Sequence, residues 1–122
     1  MLGLSANLNY YLFNGNVDLR KGIFRLCESI REEMSLDPSD ASNVYMFMSR
    51  NRKVVKILHY ERGFYVLYEK RPVMGKFKKP VFDEASKCYR IQWSDMAYLT
   101  DMAYLTESIV VDRMYAVSYT HL

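Results

Sequence analysis

Between residues 44 and 80 the chain alternates short apolar runs with turns too brief to hold a crossover, and that restricts these runs to antiparallel neighbours. Val44-Tyr45-Met46-Phe47-Met48 reads as a strand and Ser49-Arg50-Asn51-Arg52 as a turn. Residues 53–60 are rich in β-branched types, Glu61-Arg62-Gly63 has the Gly-terminated form of a three-residue hairpin loop, and 64–70 returns. Arg71-Pro72-Val73-Met74-Gly75 turns the chain again, into a short strand over 76–79 that Pro80 ends. A meander is the expectation.

Upstream, the aromatic run Tyr10-Tyr11-Leu12-Phe13 precedes the turn residues Asn14-Gly15-Asn16 and marks a first strand. Asp18 then has the form of a helix N-cap. Leu19, Ile23, Leu26, Cys27, Ile30 and Met34 recur on one face of a helix over 19–34, with Arg20, Lys21, Glu28, Arg31, Glu32 and Glu33 on the other. Asp37-Pro38-Ser39-Asp40 stops it. Downstream, Tyr89, Ile91 and Trp93 alternate with Arg90 and Gln92 as a last strand, and Ser94 or Asp95 caps a C-terminal helix.

The hexapeptide Asp-Met-Ala-Tyr-Leu-Thr occurs twice in succession over 95–106. Copies six residues apart on a helix face directions about 120° apart, so both cannot lie on one stripe, and a tandem slip explains the repeat better than a structural period does. Residues 116–122 follow neither period. The expected architecture is therefore α+β: an antiparallel β-meander of about five strands, an N-terminal amphipathic helix packed on one face and a short C-terminal helix. One domain covers 1–115, with 116–122 a non-native or disordered tail.

A chain of 122 residues, half of them hydrophobic, buries one core and hardly two. Its longest apolar stretches, 44–48 and 64–68, are far short of the roughly 20 residues that span a bilayer. No membrane partner and no secretory signal are expected. Cys27 and Cys88 are the only thiols, without CxxC spacing or a neighbouring His, and read as reduced residues of a cytoplasmic protein. Cys27 lies on the apolar stripe and reads as a small buried hydrophobe. Neither a metal nor another cofactor is expected.

Charge is unevenly spread. The segment 50–80 holds ten Lys or Arg against two carboxylates, while the whole chain is only +3. Such a block attracts phosphate backbones by counterion release and steering. The candidate nucleic-acid contacts are Arg50, Arg52, Lys53, Lys56, Lys70, Arg71, Lys76, Lys78 and Lys79. Arg20 and Lys21 join them, because cations in the first turn of a helix oppose its dipole and call for an anionic partner: a phosphate, or an acid such as Asp18 or Glu84.

With residues 61–63 as the loop, Tyr60 lies opposite Phe64, Leu58 opposite Val66 and Lys56 opposite Tyr68. One face then shows Tyr60, Phe64 and Tyr68 beside Lys56 and Lys70, an aromatic platform for stacked bases. Val55, Ile57 and Leu67 pack under the helix on the other, with His59 and Tyr65 near the turn. The alternative is that both faces are covered and the lysines snorkel to the edges.

Catalysis finds little support. A strand-transfer site needs two or three carboxylates converging on Mg²⁺, and the central strands offer only Glu69. His59 is the one candidate general base before the tail, and no Ser or Cys has a nucleophile motif beside it.

Val17-Asp18-Leu19-Arg20-Lys21-Gly22 resembles the Asp-Met-Arg-Lys-Gly signature of the TnpB-type accessory proteins of the sixty-six family of bacterial insertion sequences. A second motif fits in the right order: Lys56-Ile57-Leu58-His59-Tyr60-Glu61-Arg62-Gly63, an aromatic strand ending in Lys70-Arg71, then Gly75-Lys76-Phe77 and Pro80. Leu19 replaces the usual Met, and Lys79 stands where Trp often precedes the Pro. The resemblance extends over about 10–109 and implies a non-enzymatic accessory protein, distinct from the RNA-guided nucleases sharing the TnpB label. Its partners would be a separate transposase encoded by the same element and DNA at the element ends or the target. A protein-interaction module that docks on the transposase without touching DNA is the alternative.

Overall fold

The computed structural model describes residues 4–13, 18–77, 79–81, 88–94, 108–110 and 115–116. Its elements are β1 (Asn9–Phe13), α1 (Ile23–Met34), β2 (Asn43–Met48), β3 (Val55–Glu61), β4 (Phe64–Lys70), β5 (Lys79–Val81), β6 (Cys88–Ile91), β7 (Ser108–Val110) and β8 (Tyr115–Ala116). Six strands form one sheet in the order β4-β3-β2-β1-β6-β8, and β5 pairs with β7 in a separate two-stranded sheet.

The apolar stripe folds as its spacing requires. Leu26, Cys27, Ile30 and Met34 are buried, and Leu19 and Ile23 pack against the same cluster. The start of the helix differs from expectation. Asp18 is not the cap: its carboxylate accepts the Arg20 N–H at 2.9 Å, and Lys21 N–H donates to the Asp18 carbonyl, so 18–21 form a turn of their own. Gly22 occupies the N-cap without a side-chain bond. At the other end Ser35 adopts φ 53°, and Leu36 N–H closes back on the Ile30 carbonyl at 3.4 Å.

The expected meander holds for β2, β3 and β4, which are consecutive antiparallel neighbours. It fails at β1, which runs parallel to β2 with Asn9 beside Asn43 and Phe13 beside Phe47. The reason is the connection: parallel neighbours need a crossover of a dozen or more residues, and the segment carrying α1 is one. β6 pairs antiparallel with β1, placing β1 inside the sheet. The fold is α+β with a mixed sheet. The strand expected over 76–79 instead lies at Lys79–Val81 and pairs with Ser108–Val110, including Pro80, whose missing N–H is tolerated in a narrow sheet with two edges. The residues expected to form the C-terminal helix lie outside the described residues from 95 until β7, and so do the hexapeptide repeat and the tail beyond Ala116.

The hairpin register also differs. The turn is the two-residue pair Arg62-Gly63, with φ 48° and 90°, so Glu61 pairs with Phe64 and Tyr60 with Tyr65. Two positive φ values in succession match the right-handed twist of the flanking strands, which a three-residue loop would reach by another geometry. One position of slip exchanges the faces. Leu58, Leu67 and Tyr65 therefore lie under α1 with Tyr11, Phe13, Tyr45, Phe47 and Cys88. Val55 and Ile57 are on the opposite face with Tyr10, Leu12, Val44, Met46 and Phe77.

Burial has a measurable signature at high pH. Desolvation pushes the Cys88 thiol and the Tyr10 hydroxyl up to about 12, and raises Tyr45 further still. The unfolded chain sheds these protons first, from near the ordinary thiol and phenol values of 9.0 and 10.0, so the folded state holds more protons in that window. Stability is full below about pH 9 and falls as the pH rises towards 12. Urea unfolding followed by circular dichroism from pH 7 to 11.5 should show this decline. A Cys88→Ala variant, less stable at pH 7, should lose less over the alkaline window.

Candidate nucleic-acid interface

The β2–β3 turn is built around Ser49. Its Oγ accepts the N–H groups of Lys53 at 3.2 Å and Val54 at 3.0 Å and donates to Asn51 Oδ1 at 2.8 Å, while its own N–H reaches the Val54 carbonyl. The turn is thereby held from within, leaving Arg50 and Lys53 on the outside. Arg52, at φ 60°, faces the other way. Its carbonyl accepts Phe77 N–H at 2.8 Å, and its Nη1 donates to the Phe77 carbonyl at 3.4 Å. Phe77 is buried in the cluster on the face away from α1, so this two-way link fastens the segment after β4 to the β2–β3 turn.

Register brings further cations to the same end. Val55 pairs with Lys70, the last residue of β4, and Arg71 follows it. Lys76 precedes the fastened Phe77. Lys56, next along β3, donates from Nζ to the Leu19 carbonyl, which draws Leu19, and with it Arg20 and Lys21, over the rung formed by Lys56 and Glu69. Arg20, Lys21, Arg50, Arg52, Lys53, Lys70, Arg71 and Lys76 thus gather at the end of the sheet where β2 stops and β3 begins.

Among the described residues two acids share this end, Asp18 and Glu69, and each is engaged. Asp18 takes Arg20 Nε at 3.1 Å and Nη2 at 3.2 Å, and this guanidinium holds its carboxyl below the usual range. Of the two partners open to Arg20 in the sequence, the acid is the one found. Arg71 Nε lies 2.8 Å from Glu69, whose carboxyl is lowered mainly by that contact and also by Lys56 at 3.8 Å. The opposite end carries Asp37, Asp40 and Glu61, with Glu32 and Glu33 on the last turns of α1. Asp37 and Asp40 each accept from a serine two residues on, Ser39 and Ser42.

Several expected members are placed elsewhere. Lys56 is only 12% exposed in its side chain and serves the interior. It tethers the entry to α1, a role without a local signal because a lysine on an alternating strand reads as solvent-facing. Lys56→Met is expected to cost about 1–3 kcal/mol in urea unfolding, since the Leu19 carbonyl and Glu69 lose a donor in a partly dry site. The aromatic platform is divided: Tyr60 shares the α1 face with Lys56 and Tyr65, whereas Phe64, Tyr68 and Lys70 share the other face with Val55 and Ile57. Lys78 lies outside the described residues, and of Lys79 only its backbone position in β5 is described.

His59 is buried. Its Nδ1 is 3.0 Å from Glu61 Oε1 and its Nε2 2.8 Å from the Ala41 carbonyl, so both ring nitrogens are engaged in joining β3 to the loop before β2. Among the described residues no three His, Cys, Asp or Glu side chains converge as a metal site, and no helix is long and apolar enough to cross a membrane.

A family model described as IS66 Orf2 like protein matches residues 8–108. The chain belongs to this family. Membership of the IS66 Orf2-like proteins supports an accessory role in transposition of an insertion sequence, and the family is one of accessory proteins rather than known enzymes. The match spans β1 through the start of β7, and so includes the whole cationic end of this IS66 Orf2-like fold. No curated protein and no solved structure matches the chain.

Sequence reasoning overlooked two groups of residues in this IS66 Orf2-like chain. Val73 and Met74 stand 92% and 71% exposed on the loop between Lys70 and Phe77, where the turn signal of Pro72 and Gly75 masked their apolar character. Phe24, 76% exposed on α1, meets Tyr65 edge-on at 6.3 Å, and Tyr65 meets Tyr60 at 5.2 Å. Position 24 falls beside the apolar stripe and outside it.

Proposed function

We propose that this IS66 Orf2-like protein binds DNA through the cationic end of its sheet and thereby assists a separate transposase encoded by the same element. The observation that carries the reading is the convergence of the β2–β3 turn, the end of β4, the 71–76 loop and the entry to α1 at one end, where the described carboxylates, Asp18 and Glu69, are already engaged. A surface of this kind neutralises phosphates through charge, which carries no sequence information of its own. The protein would hold element ends or target DNA while the transposase supplies the catalysis.

Titration of the purified protein with element-end duplex and a scrambled duplex, at 50–300 mM salt and with or without transposase, tests this. Binding that weakens steeply with salt and treats the two duplexes alike is expected. Absence of binding at the lowest salt would remove the DNA half of the proposal.

The exposed ring of Phe24, which meets the half-buried Tyr65 edge-on and through it Tyr60, favours a second reading, in which the protein docks on the transposase directly through Phe24. Co-purification with the transposase that survives nuclease and high salt, and is lost in Phe24→Ala, would support it.

A further inference from the structure

We propose that the loop 71–76 is a wedge that inserts Met74, with Val73 beside it, between base steps of duplex DNA from the minor groove and kinks the duplex. The inference rests on the DNA reading above and adds how the DNA is deformed.

The loop is short and anchored at both ends. Lys70 is paired with Val55 in the sheet, and Phe77 is buried and bonded in both directions to Arg52. Pro72 fixes φ at its own position, and Gly75 at φ 77° supplies the reversal that lets the apex return. The apex is therefore presented stiffly, which an inserting side chain requires and a floppy loop does not provide. Val73 stands almost fully in water there and Met74 is exposed over about seven-tenths of its surface, with Gly75 leaving no side chain beside them. Arg71 and Lys76 flank them, and Arg50 and Lys53 project from the neighbouring turn.

Two adjacent apolar side chains at the centre of a cationic surface are misplaced for a contact made of phosphates alone. They fit a contact in which cations take the backbones on either side of a groove and an apolar group enters the stack, the arrangement by which minor-groove proteins bend DNA. Met is long, unbranched and polarizable, and so suits a narrow, irregular gap between bases. Charge complementarity selects DNA as the occupant over an apolar protein groove, and two residues form too small an apolar tip to hold the protein on a bilayer.

The test uses the full chain and a 30-base-pair duplex carrying end-labelled fluorophores, with 2-aminopurine at a central TA step. The wild-type protein is expected to bend the duplex by on the order of 20–90° and to raise 2-aminopurine emission as the step unstacks. Val73→Ser/Met74→Ser should lose the bend and the emission change while keeping the slope of log K against log salt, because no charge is removed. Met74→Leu should retain both signals. Circular dichroism of each variant confirms the fold, which these exposed positions leave intact.

Wild-type binding without bending would overturn the wedge and leave the DNA reading standing, and a bend unchanged in the double Ser variant would do the same. No binding to any duplex would overturn both. Sedimentation with vesicles of equal phosphatidylglycerol and phosphatidylcholine, if it depended on Met74, would overturn the wedge in favour of a membrane contact.

Discussion

Replacing Arg50, Lys53, Arg71 and Lys76 together by Gln is expected to weaken DNA binding about a thousandfold or more near 0.1 M salt, because each phosphate contact contributes roughly 0.9 to the slope of log K against log salt. Four lost contacts should flatten that slope by about 3 to 4 units, and the two curves should converge as salt rises. The four side chains sit on one turn and one loop, outside the core. Lys53 and Arg71 are exposed, and the ion pair of Arg71 with Glu69 joins groups open to solvent. Such pairs contribute little to stability, so unfolding midpoints should stay close to wild type. A control variant bearing Arg31→Gln and Arg62→Gln, both exposed and away from the cationic end, removes charge without touching the site. If it weakened binding as much per charge, net charge and not placement would be the cause, and the proposed interface would be wrong.

The second large effect is on stability. Leu58→Ala is expected to cost about 2–5 kcal/mol, a substantial part of the roughly 5–15 kcal/mol available to a domain of this size. Leu58 is fully buried, pairs in register with Tyr45 on one side and Leu67 on the other, and packs beneath Leu26, Cys27 and Ile30 of α1. Tyr45 and Leu67 are held in their rungs and cannot move into the space without leaving them. Ile57→Ala, on the other side of the same strand, should cost a comparable amount, because Ile57 is also fully buried. Urea unfolding gives both values. A cost below about 1 kcal/mol at Ile57 would mean that the face away from α1 is not core.

That two-sided burial explains why the hairpin register was hard to read. Along β3 the residues Val55, Ile57, Leu58 and His59 are all buried, and even Lys56 is mostly enclosed. A strand with no solvent face carries no alternation to fix which residues share a side, so only turn chemistry remains to set the register. At the turn, Arg62 occupies a left-handed position usually given to Asn, Asp or Gly, and the pair Arg62-Gly63 did not announce itself. The bounds of β4, the stripe of α1 and the β2–β3–β4 order were legible because each depends on local pattern. The parallel partnership of β1 and β2 was also present in the sequence, as a strand, a helix and a strand in succession, but the short turns downstream drew the reading towards a meander.

The cationic segment was visible by counting, and its assembly at one end of the sheet was not. Arg50 and Lys70 are twenty residues apart and Arg20 lies thirty before Arg50. They meet because antiparallel pairing returns the end of β4 to the start of β3, and because a buried lysine draws in the entry to α1. The fate of Lys56 illustrates the limit: charge predicts where a side chain can go in water, and not which carbonyl will claim it.

Among the described residues, acids and bases separate along the strand direction and so define an electric axis. Under the proposed DNA binding, the basic pole would lead towards the polyanion and Asp37, Asp40 and Glu61 would trail. Copies seated side by side would all point outward in the same sense and present a rim of carboxylates to the surroundings. A second layer would meet repulsion there, so coating of the nucleic acid should stop at one molecule deep.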